Sequence, residues 1–309
     1  MNTKIDADFY KLDESEHQEI RKEHARDYFQ QTEISERPTA ILLAGQPGAG
    51  KSSLTEQAEI DCENIGGAVT VDIDDLRESH PEYTALGLRN DRTASGLVQH
   101  DASKWGDELL QDAMKNNRNI ILDGTMRSPE GSAKLCRELK ANGYRVDVRA
   151  MAVRQEDSKL GIHARFEDVK ARGDSGRWVP EQIHDQAYTG MRDSIEKLNT
   201  PELTDNVEVY GRSLDGSSSL RTLYKGQSGS GNPVKALDNE RARERTPEEQ
   251  KQFKSDTLRT GRNIIKRDPK LAEPENKLFI HNLKKDRNLR IELSKKEPDP
   301  KISRPKLTV

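Results

Sequence analysis

The feature that most constrains this sequence is an eight-residue phosphate loop at residues 45–52. It reads G-Q-P-G-A-G-K-S, a complete match to the pattern G-x-x-x-x-G-K-[ST], and an apolar run at residues 40–44 comes directly before it. Glycines let such a loop curl so that several backbone N–H groups point into one concavity and bind phosphate oxygens. A strand, this loop and a following helix together predict an α/β fold that binds a nucleoside triphosphate.

We expect the loop to bind ATP or GTP together with Mg²⁺. Lys51 is placed to reach the β- and γ-phosphates, and the Ser52 hydroxyl is the expected metal ligand. The whole candidate nucleotide-binding set consists of Gly45, Gln46, Pro47, Gly48, Ala49, Gly50, Lys51, Ser52 and Ser53. A phosphate loop alone does not separate a kinase from a GTPase or a motor ATPase, so the acceptor side of the site has to come from the rest of the chain.

Strand and helix patterns alternate from residue 37 to residue 211. Apolar runs that predict strands follow one another at residues 40–44, 69–71, 119–122, 145–153 and 207–210, with helix patterns between them. Alternation of this kind is typical of a parallel sheet with helices on both faces. The sequence therefore predicts a P-loop kinase domain over residues 37–211.

The segments on either side differ in composition. Residues 1–36 predict an N-terminal helical segment, and the Gly- and Ser-rich residues 212–234 predict a linker. Residues 235–309 predict a basic tail that is helical or partly disordered. From Arg212 onward the chain has 24 Lys and Arg against 14 Asp and Glu, although its overall net charge is −3. Hydrophobic residues make up only 32% of the chain, which indicates that part of it buries no core.

Composition also predicts the compartment. The sequence has no apolar stretch near the roughly 20 residues that a membrane helix needs, and its first residues lack the apolar core of a secretory signal. The two cysteines, Cys62 and Cys136, have no neighbouring His or Cys at metal-ligand spacing. We therefore expect a cytoplasmic protein without membrane contact, with both cysteines structural.

Carboxylates cluster after the second predicted strand, in the run V-D-I-D-D-L-R at residues 71–77. Ligands of an open parallel sheet bind beyond the carboxyl ends of its strands, next to the phosphate loop. Transfer of a phosphoryl group to a hydroxyl needs an acceptor for the hydroxyl proton, and Asp74 is the expected base. Asp72 is expected to assist Mg²⁺ or to cap the following helix. The alternative is that the whole run only caps a helix.

Two further groups of residues complete the predicted site. Asp123, Thr125 and Arg127 follow the third strand and suit a polar, hydroxyl-rich acceptor, although an ordinary turn has the same composition. Arg165 and Arg177 flank a charged, Gly-containing segment at residues 170–176. Kinases of this architecture often close a lid whose arginines neutralise charge on the transferring phosphoryl group. On a lone helix the same arginines would be solvated surface charges.

In combination, these residues resemble the zeta toxin family, the UDP-N-acetylglucosamine kinases of bacterial toxin–antitoxin modules, over residues 38–211. Besides the phosphate loop, the resemblance depends on short motifs spread along the domain. They are Asp72-Ile73-Asp74, His80-Pro81, Asp123-Gly124-Thr125-x-Arg127, Met151-Ala152-Val153, Arg165, Arg177, Pro180 and His184-Asp185.

The resemblance implies transfer of the γ-phosphate, usually from ATP, to the 3′-hydroxyl of the amino sugar of UDP-N-acetylglucosamine. The product would be useless for cell-wall synthesis. It implies that Lys51 and Ser52 hold phosphates and Mg²⁺, that Asp74 is the base, and that Arg165 and Arg177 bind the transferring phosphate. The candidate substrate-binding set is Asp72, Asp107, Asp123, Thr125 and Arg127. The family more commonly has Glu where this chain has Asp107 and Asp123.

Other functions fit the same residues. A kinase of another small alcohol, such as an antibiotic or a nucleoside, would use the same base and lid arginines. Binding of nucleic acid through the basic tail is not expected, because acidic residues are interleaved there and aromatic residues are scarce. Toxins of this type are usually restrained by a separate antitoxin protein. The tail or the helix pattern at residues 11–31 could instead restrain the kinase in cis, or the tail could direct delivery into another cell.

Overall fold

The computed structural model describes residues 7–214 and 219–294. The Pro- and Lys-rich end of the predicted tail and most of the Ser-rich run of the predicted linker lie outside the described residues.

A six-stranded sheet forms the centre of the molecule. The strands are β1 (Thr39–Ala44), β2 (Val69–Asp72), β3 (Ile120–Gly124), β4 (Arg145–Met151), β5 (Asn206–Arg212) and β6 (Leu220–Gln227). Their order across the sheet is β2-β3-β1-β4-β5-β6. The first five strands are parallel, and β6 pairs with β5 in the antiparallel direction. The mostly parallel sheet predicted from the sequence is confirmed.

Twelve α-helices are assigned within the described residues. They are α1 (Glu14–Gln30), α2 (Ser52–Glu63), α3 (Ile73–Leu76), α4 (Tyr83–Leu97), α5 (Gln99–Lys115), α6 (Pro129–Ala141), α7 (Gln155–Ala171), α8 (Glu181–Leu198), α9 (Pro233–Ala242), α10 (Pro247–Arg267), α11 (Pro274–Lys285) and α12 (Arg287–Ser294). None of the helices in this part of the chain is both long and apolar enough to cross a membrane.

Both faces of the sheet are covered, and β1 shows why. Successive side chains of a strand point to opposite faces, so a strand buried on both sides is apolar throughout. Leu42 packs into a cluster with residues of α5, α6 and α8, whereas Ile41 and Leu43 pack into a second cluster with α2. Cys62 and Cys136 are buried and unpaired in these two layers, and burial raises the pKa of the Cys62 thiol to about 11. Their structural role agrees with this burial.

Strand β6 lies inside the predicted Gly- and Ser-rich linker, so the linker prediction is wrong for residues 220–227. The strand is at the sheet edge, where its side chains are only partly buried and carry little apolar pattern. Backbone pairing with β5 holds it, together with ion pairs of Lys225 with Glu208 and of Arg221 with Glu240, both at 2.6 Å. Edge strands made of polar residues and followed by turn residues resemble linkers in composition.

The predicted C-terminal tail is helical over its described residues. Ile264, Ile280 and Leu283 are buried, so helices α10 to α12 contain a small apolar interior. Helix α10 also lies along α7, where Arg267 donates two hydrogen bonds to the Glu167 carboxylate at 2.6 and 2.8 Å. The helical form of the tail prediction is confirmed, and the helices pack directly on α7 of the domain that contains the sheet.

Candidate active site

The phosphate loop lies between β1 and α2 in the conformation that its glycines allow. Gly48 and Gly50 have φ of +77° and +86°, a region that favours glycine. A Cβ atom on Gly48 would lie 2.1 Å from the carbonyl oxygen of Ser158 in α7. The loop is therefore pressed against the helix that carries Arg165, and no larger residue fits at position 48.

Gln46, the second loop residue, is buried and fixes this contact. Its Nε2 donates hydrogen bonds to the Val153 carbonyl at 3.1 Å and to the Ser158 hydroxyl at 3.2 Å. The Ser158 hydroxyl also contacts His184 Nε2 at 2.8 Å, and His184 Nδ1 contacts Asp185 at 2.8 Å. The His184-Asp185 motif thus belongs to a series of hydrogen-bonded side chains that leads through Ser158 to Gln46 of the loop.

Two basic residues that the sequence analysis missed hold the loop from the other side. Arg212, at the end of β5, donates hydrogen bonds to the Gly48 and Ala49 carbonyls at 2.6 and 3.1 Å. Arg241 in α9 donates to Gln46 Oε1 at 3.3 Å. Their acceptors are backbone carbonyls and a residue almost two hundred positions away, so no local pattern marks them.

Lys51 and two carboxylates lie together at the carboxyl ends of the strands. Lys51 Nζ lies 3.4 Å from Asp123 Oδ1, and the Thr55 hydroxyl donates to Asp123 Oδ2 at 3.1 Å. Asp72 is the register partner of Asp123 on β2. Burial, and then the charge of Asp123, raises the pKa of Asp72 to about 6, although Lys51 partly opposes this shift. Two carboxylates thus lie beside the Lys51 ammonium at this edge, and one of them is protonated more readily than a free aspartate.

The residues around Ser52 fit a magnesium ion that is bound jointly by protein and nucleotide. Hydroxyl and carboxylate oxygens are the ligands that Mg²⁺ prefers, and Mg²⁺ commonly takes only one or two carboxylates besides phosphates and waters. Over residues 7–214 and 219–294, no group of three or more His, Cys, Asp and Glu could hold a metal by itself. Ser52, with Asp72 and Asp123 nearby, supplies the oxygen donors that a nucleotide-dependent ion requires.

Asp74 lies in the short helix α3 that follows β2. Asp72 caps this helix by accepting a hydrogen bond from the Asp74 N–H at 2.7 Å. The Asp74 carboxylate is paired on both oxygens, with Arg77 at Oδ1 and Arg177 at Oδ2. Asp72 thus caps α3, as one of its two expected roles requires, and Asp74 lies in the same turn at the sheet edge.

Arg77 is a site residue that the sequence analysis did not select. Its side chain is buried, and besides Asp74 it donates to the Gln99 side chain at the start of α5. An arginine three residues after the candidate base, in the same helical turn, was the signal that could have identified it. Arg77 contacts Asp74 Oδ1 from the turn after α3, whereas Arg177 contacts Asp74 Oδ2 from the predicted lid.

The two lid arginines converge on this edge. Arg177 contacts Asp74 directly, and Arg165 lies on α7, the helix against which Gly48 packs. Burial lowers the pKa of each guanidinium, and the negative charge of Asp72 partly opposes this in both. Both arginines therefore experience the field of the carboxylates beside Lys51.

The remaining predicted residues surround the centre at a greater distance. Thr125 and Arg127 follow β3, and Gly190 of α8 packs so closely on the Arg127 carbonyl that a Cβ would lie 1.9 Å from it. Asp107 lies on α5 one helical turn after Ser103, which itself bonds Gln99. Burial, and then the charge of Glu108, raises the pKa of Asp107. Thr125 and Arg127 thus follow the carboxyl end of β3, and Asp107 lies on α5.

Comparisons with known proteins agree with this geometry. The family model described as zeta toxin matches residues 22–250. The toxin zeta of Enterococcus hirae is 29% identical over 178 residues, which are 57% of this chain and 62% of that relative. The match thus spans less than two thirds of the length of that toxin.

Two solved structures share the fold. The first, from a study of the PezAT chromosomal toxin–antitoxin system of Streptococcus pneumoniae, superposes with a TM-score of 0.71 at 23% identity, covering 82% of this chain and 98% of that one. The second, the AvrRxo1-ORF1:-ORF2 complex with ATP, has a TM-score of 0.55 at 15% identity and covers 88% of this chain and 84% of that one. The likeness extends beyond the sheet into the C-terminal helices.

Proposed function

This chain belongs to the zeta toxin family, and from that premise we propose that it is an ATP-dependent kinase of UDP-N-acetylglucosamine. The phosphate is transferred to the 3′-hydroxyl of the amino sugar, and the enzyme acts as a bacterial toxin in the cytoplasm by blocking use of a cell-wall precursor. The observation that carries the proposal is the meeting of Asp74 and Arg177 beside the phosphate loop. Asp74 would act as the base and Arg177 as the cation that binds the γ-phosphate of a loop-bound nucleotide.

On the nucleotide side, the backbone N–H groups of residues 45–53 and the Lys51 ammonium bind the triphosphate. Ser52, with Asp72 and Asp123, would hold Mg²⁺, which neutralises phosphate charge when bound. Arg165 and Arg177 bind the transferring phosphoryl group, whose charge builds up as the bond to the leaving nucleoside diphosphate breaks. Support for ATP as the nucleotide comes from the structurally similar AvrRxo1-ORF1:-ORF2 complex, which was solved with ATP.

On the acceptor side, Asp74 accepts the proton of the attacking hydroxyl while the hydroxyl oxygen bonds to the γ-phosphorus. Both Asp74 oxygens are paired in the structure, so one must be released first. Arg77 is buried behind the carboxylate, whereas Arg177 lies on the lid. Arg177 therefore exchanges Asp74 Oδ2 for the γ-phosphate when nucleotide binds, and the freed oxygen faces the acceptor hydroxyl.

The sugar nucleotide binds on the side of β3 and α5. Asp107, Thr125 and Arg127 offer an acceptor, a hydroxyl and a cation to its polar groups. Asp123 is bonded to Thr55 and lies near Lys51, so it contacts the nucleotide side as well as the acceptor. Asp72 is the last member of the proposed substrate-binding set and would lie between the two substrates.

We also propose that a separate antitoxin protein restrains this kinase in its host. The supporting finding is that the similar pneumococcal structure comes from a toxin–antitoxin system. Restraint by the C-terminal helices in cis would be the alternative. It predicts that a chain truncated after residue 246, which keeps α9 and removes α10 to α12, inhibits bacterial growth more strongly than the full chain.

The test of the proposed reaction is a product assay. The full chain is incubated with ATP, Mg²⁺ and, separately, UDP-N-acetylglucosamine, UDP-N-acetylgalactosamine, UDP-glucose and a set of nucleosides and aminoglycosides. Mass spectrometry should show one added phosphate on UDP-N-acetylglucosamine, and fragmentation should place it on the sugar. If only a nucleoside or an antibiotic gains phosphate, the fold acts on another alcohol and the proposed acceptor is wrong.

A further inference from the structure

The chain continues beyond the residues that match the family model, which end at residue 250. Most of α10 and all of α11 and α12 lie in this continuation. Helix α10 runs along α7, and its Arg267 pairs with Glu167, a carboxylate that is only 1% exposed. The additional helices are thus fastened to the helix that carries Arg165.

The lid segment, residues 172–179, is exposed over its first half and mostly buried over its second half. Residues 172–175 are exposed, and Gly173 has a φ of +89°. Gly176, Trp178 and Val179 are buried, and Trp178, which directly follows Arg177, is only 7% exposed. Its ring lies 5.3 Å from the Phe166 ring and 5.0 Å from the His163 ring, both on α7. The position of the Arg177 backbone therefore depends on how firmly the next residue is held.

Arg92 covers the exposed side of Trp178. Its guanidinium carbon lies 4.3 Å from the centre of the Trp178 ring and 5.4 Å from that of Phe166, the geometry of a cation–π contact. Helix α4 is interrupted at Asn90, whose side chain accepts a hydrogen bond from the Arg92 N–H at 3.1 Å. This break and cap set the direction in which Arg92 leaves the helix.

The C-terminal helices hold Arg92 in turn. Arg92 pairs with Glu273 at 3.3 Å and with Glu275 at 3.2 Å, two carboxylates at the start of α11. In the same helix, the Phe279 ring lies 4.7 Å from the His163 ring and closes the aromatic pocket. Arg92 itself is 15% exposed at its side chain, so its charge is largely removed from water and depends on these partners.

We propose that Arg92 is a positioning residue for Arg177, and that Glu273 and Glu275 make the C-terminal helices a brace for the lid. The inference rests on the proposed function, since it assigns the brace to the arginine that binds the transferring phosphate. Arg92 touches neither substrate. It acts by holding Trp178 so that the preceding guanidinium stays beside Asp74.

The first test compares steady-state kinetics of full-length variants. Arg92→Ala and the double variant Glu273→Gln/Glu275→Gln should lower kcat about 10- to 100-fold, the loss typical of a misplaced catalytic group. KM for ATP should change less than about twofold, because the phosphate loop is untouched. Arg92→Lys should recover most of the loss, since it keeps the charge. Arg89→Ala, an exposed arginine on the same helix, is the matched control and should behave as wild type.

The second test does not depend on the acceptor. Hydrogen exchange of residues 174–179, followed by mass spectrometry on the nucleotide-free full chain, should be at least tenfold faster in both the Arg92→Ala and the double variant. Exchange of β1 should not change, which also shows that the variants fold. Unchanged exchange of the lid segment, or faster exchange with wild-type kcat, would overturn the positioning role. A product assay that detects no phosphorylated UDP-sugar, together with faster lid exchange, would reject the proposed acceptor and keep the brace.

Discussion

The phosphate-loop region and the C-terminal helices meet at α7, yet they are held by different interactions. Around the loop, β1 is buried by apolar neighbours on both faces, with Leu42 and Leu43 at most 1% exposed. The C-terminal helices contact α7 mainly through charged pairs, such as Arg259 with Asp168 and Arg267 with Glu167, both at 2.6 Å. Apolar packing therefore fixes the nucleotide side of the site, whereas ion pairs fix the side from which the lid approaches.

This difference has a functional consequence. Apolar interiors are close-packed and tolerate little displacement, while ion pairs near the surface are weaker and depend on salt. The proposed kinase activity would need a rigid phosphate cradle and a lid that can open and close. The division between the two regions matches that need, and it can be tested by removing single contacts from each.

The largest effect is expected from Lys51→Ala. It removes the only side-chain cation placed to reach the phosphates from within the loop, so the rate of phosphate transfer should fall by more than about 10³-fold. The melting temperature should stay close to wild type, because the loop backbone is held by Gln46 and Arg212. Lys51→Arg serves as the control for charge, and its failure to restore the rate would show that geometry matters. A variant that transfers phosphate at the wild-type rate would remove Lys51 from the account.

The next largest effect is expected from a substitution in the core. Leu42→Ala leaves a cavity between one face of the sheet and helices α5, α6 and α8, and should lower the free energy of unfolding by about 2–5 kcal/mol. Arg259→Ala removes a pair whose side chains are 49% and 40% exposed and should cost less than about 1 kcal/mol. Urea unfolding monitored by circular dichroism measures both. Equal losses would show that the two regions are not held differently.

Loss of the buried ion pair between α10 and α7 should lower the free energy of unfolding by an amount between these two losses. Arg267→Ala leaves the buried Glu167 carboxylate without its partner and should cost about 1–3 kcal/mol, since Arg267 itself is partly exposed. The double variant Arg267→Met/Glu167→Leu should recover most of this loss, because neither charge then remains buried. Faster hydrogen exchange confined to α10 and α7 is the expected sign that the region loosens locally. Loss of protection throughout the sheet would contradict it.

The last effect concerns pH. The pKa of Asp72 is raised to about 6 in the folded protein, so folding favours its protonated form. Its contribution to the free energy of unfolding is therefore most favourable below pH 4, falls as the pH rises toward 6, and is constant above. Asp72→Asn removes this dependence, so its stability relative to wild type should rise by about 2 kcal/mol between pH 4 and pH 6.5. A constant difference between the two proteins across this range would mean that Asp72 is not shifted.

The parts of the molecule that could be predicted from the sequence are those whose structure follows from a local pattern of residues. The loop at residues 45–52 and the strands around it have strong apolar periodicity, and the carboxylates at positions 72, 74 and 123 follow strand ends whose location topology determines. The roles proposed for these residues stay predictions until they are measured.

What the sequence did not predict depends on contacts between distant segments. Strand β6 was hidden by its polar edge composition, and Arg92 and Arg241 look like surface arginines until the fold brings them to Trp178 and Gln46. An arginine in a charge-rich chain has many partners available. The packing of α4, α9 and α11 determines which of these partners each arginine contacts.

The measurement that tests the central claim most directly is a single-turnover comparison of wild type, Asp74→Asn and Asp75→Asn. Asp75 is the exposed neighbour of the proposed base and provides the control. ATP affinity, measured by calorimetry on the same samples, should agree within about twofold, while phosphate transfer to the acceptor should fall at least about 100-fold in Asp74→Asn alone. Transfer by Asp74→Asn near the wild-type rate would contradict the assignment of Asp74 as the base and, with it, the proposed geometry of transfer.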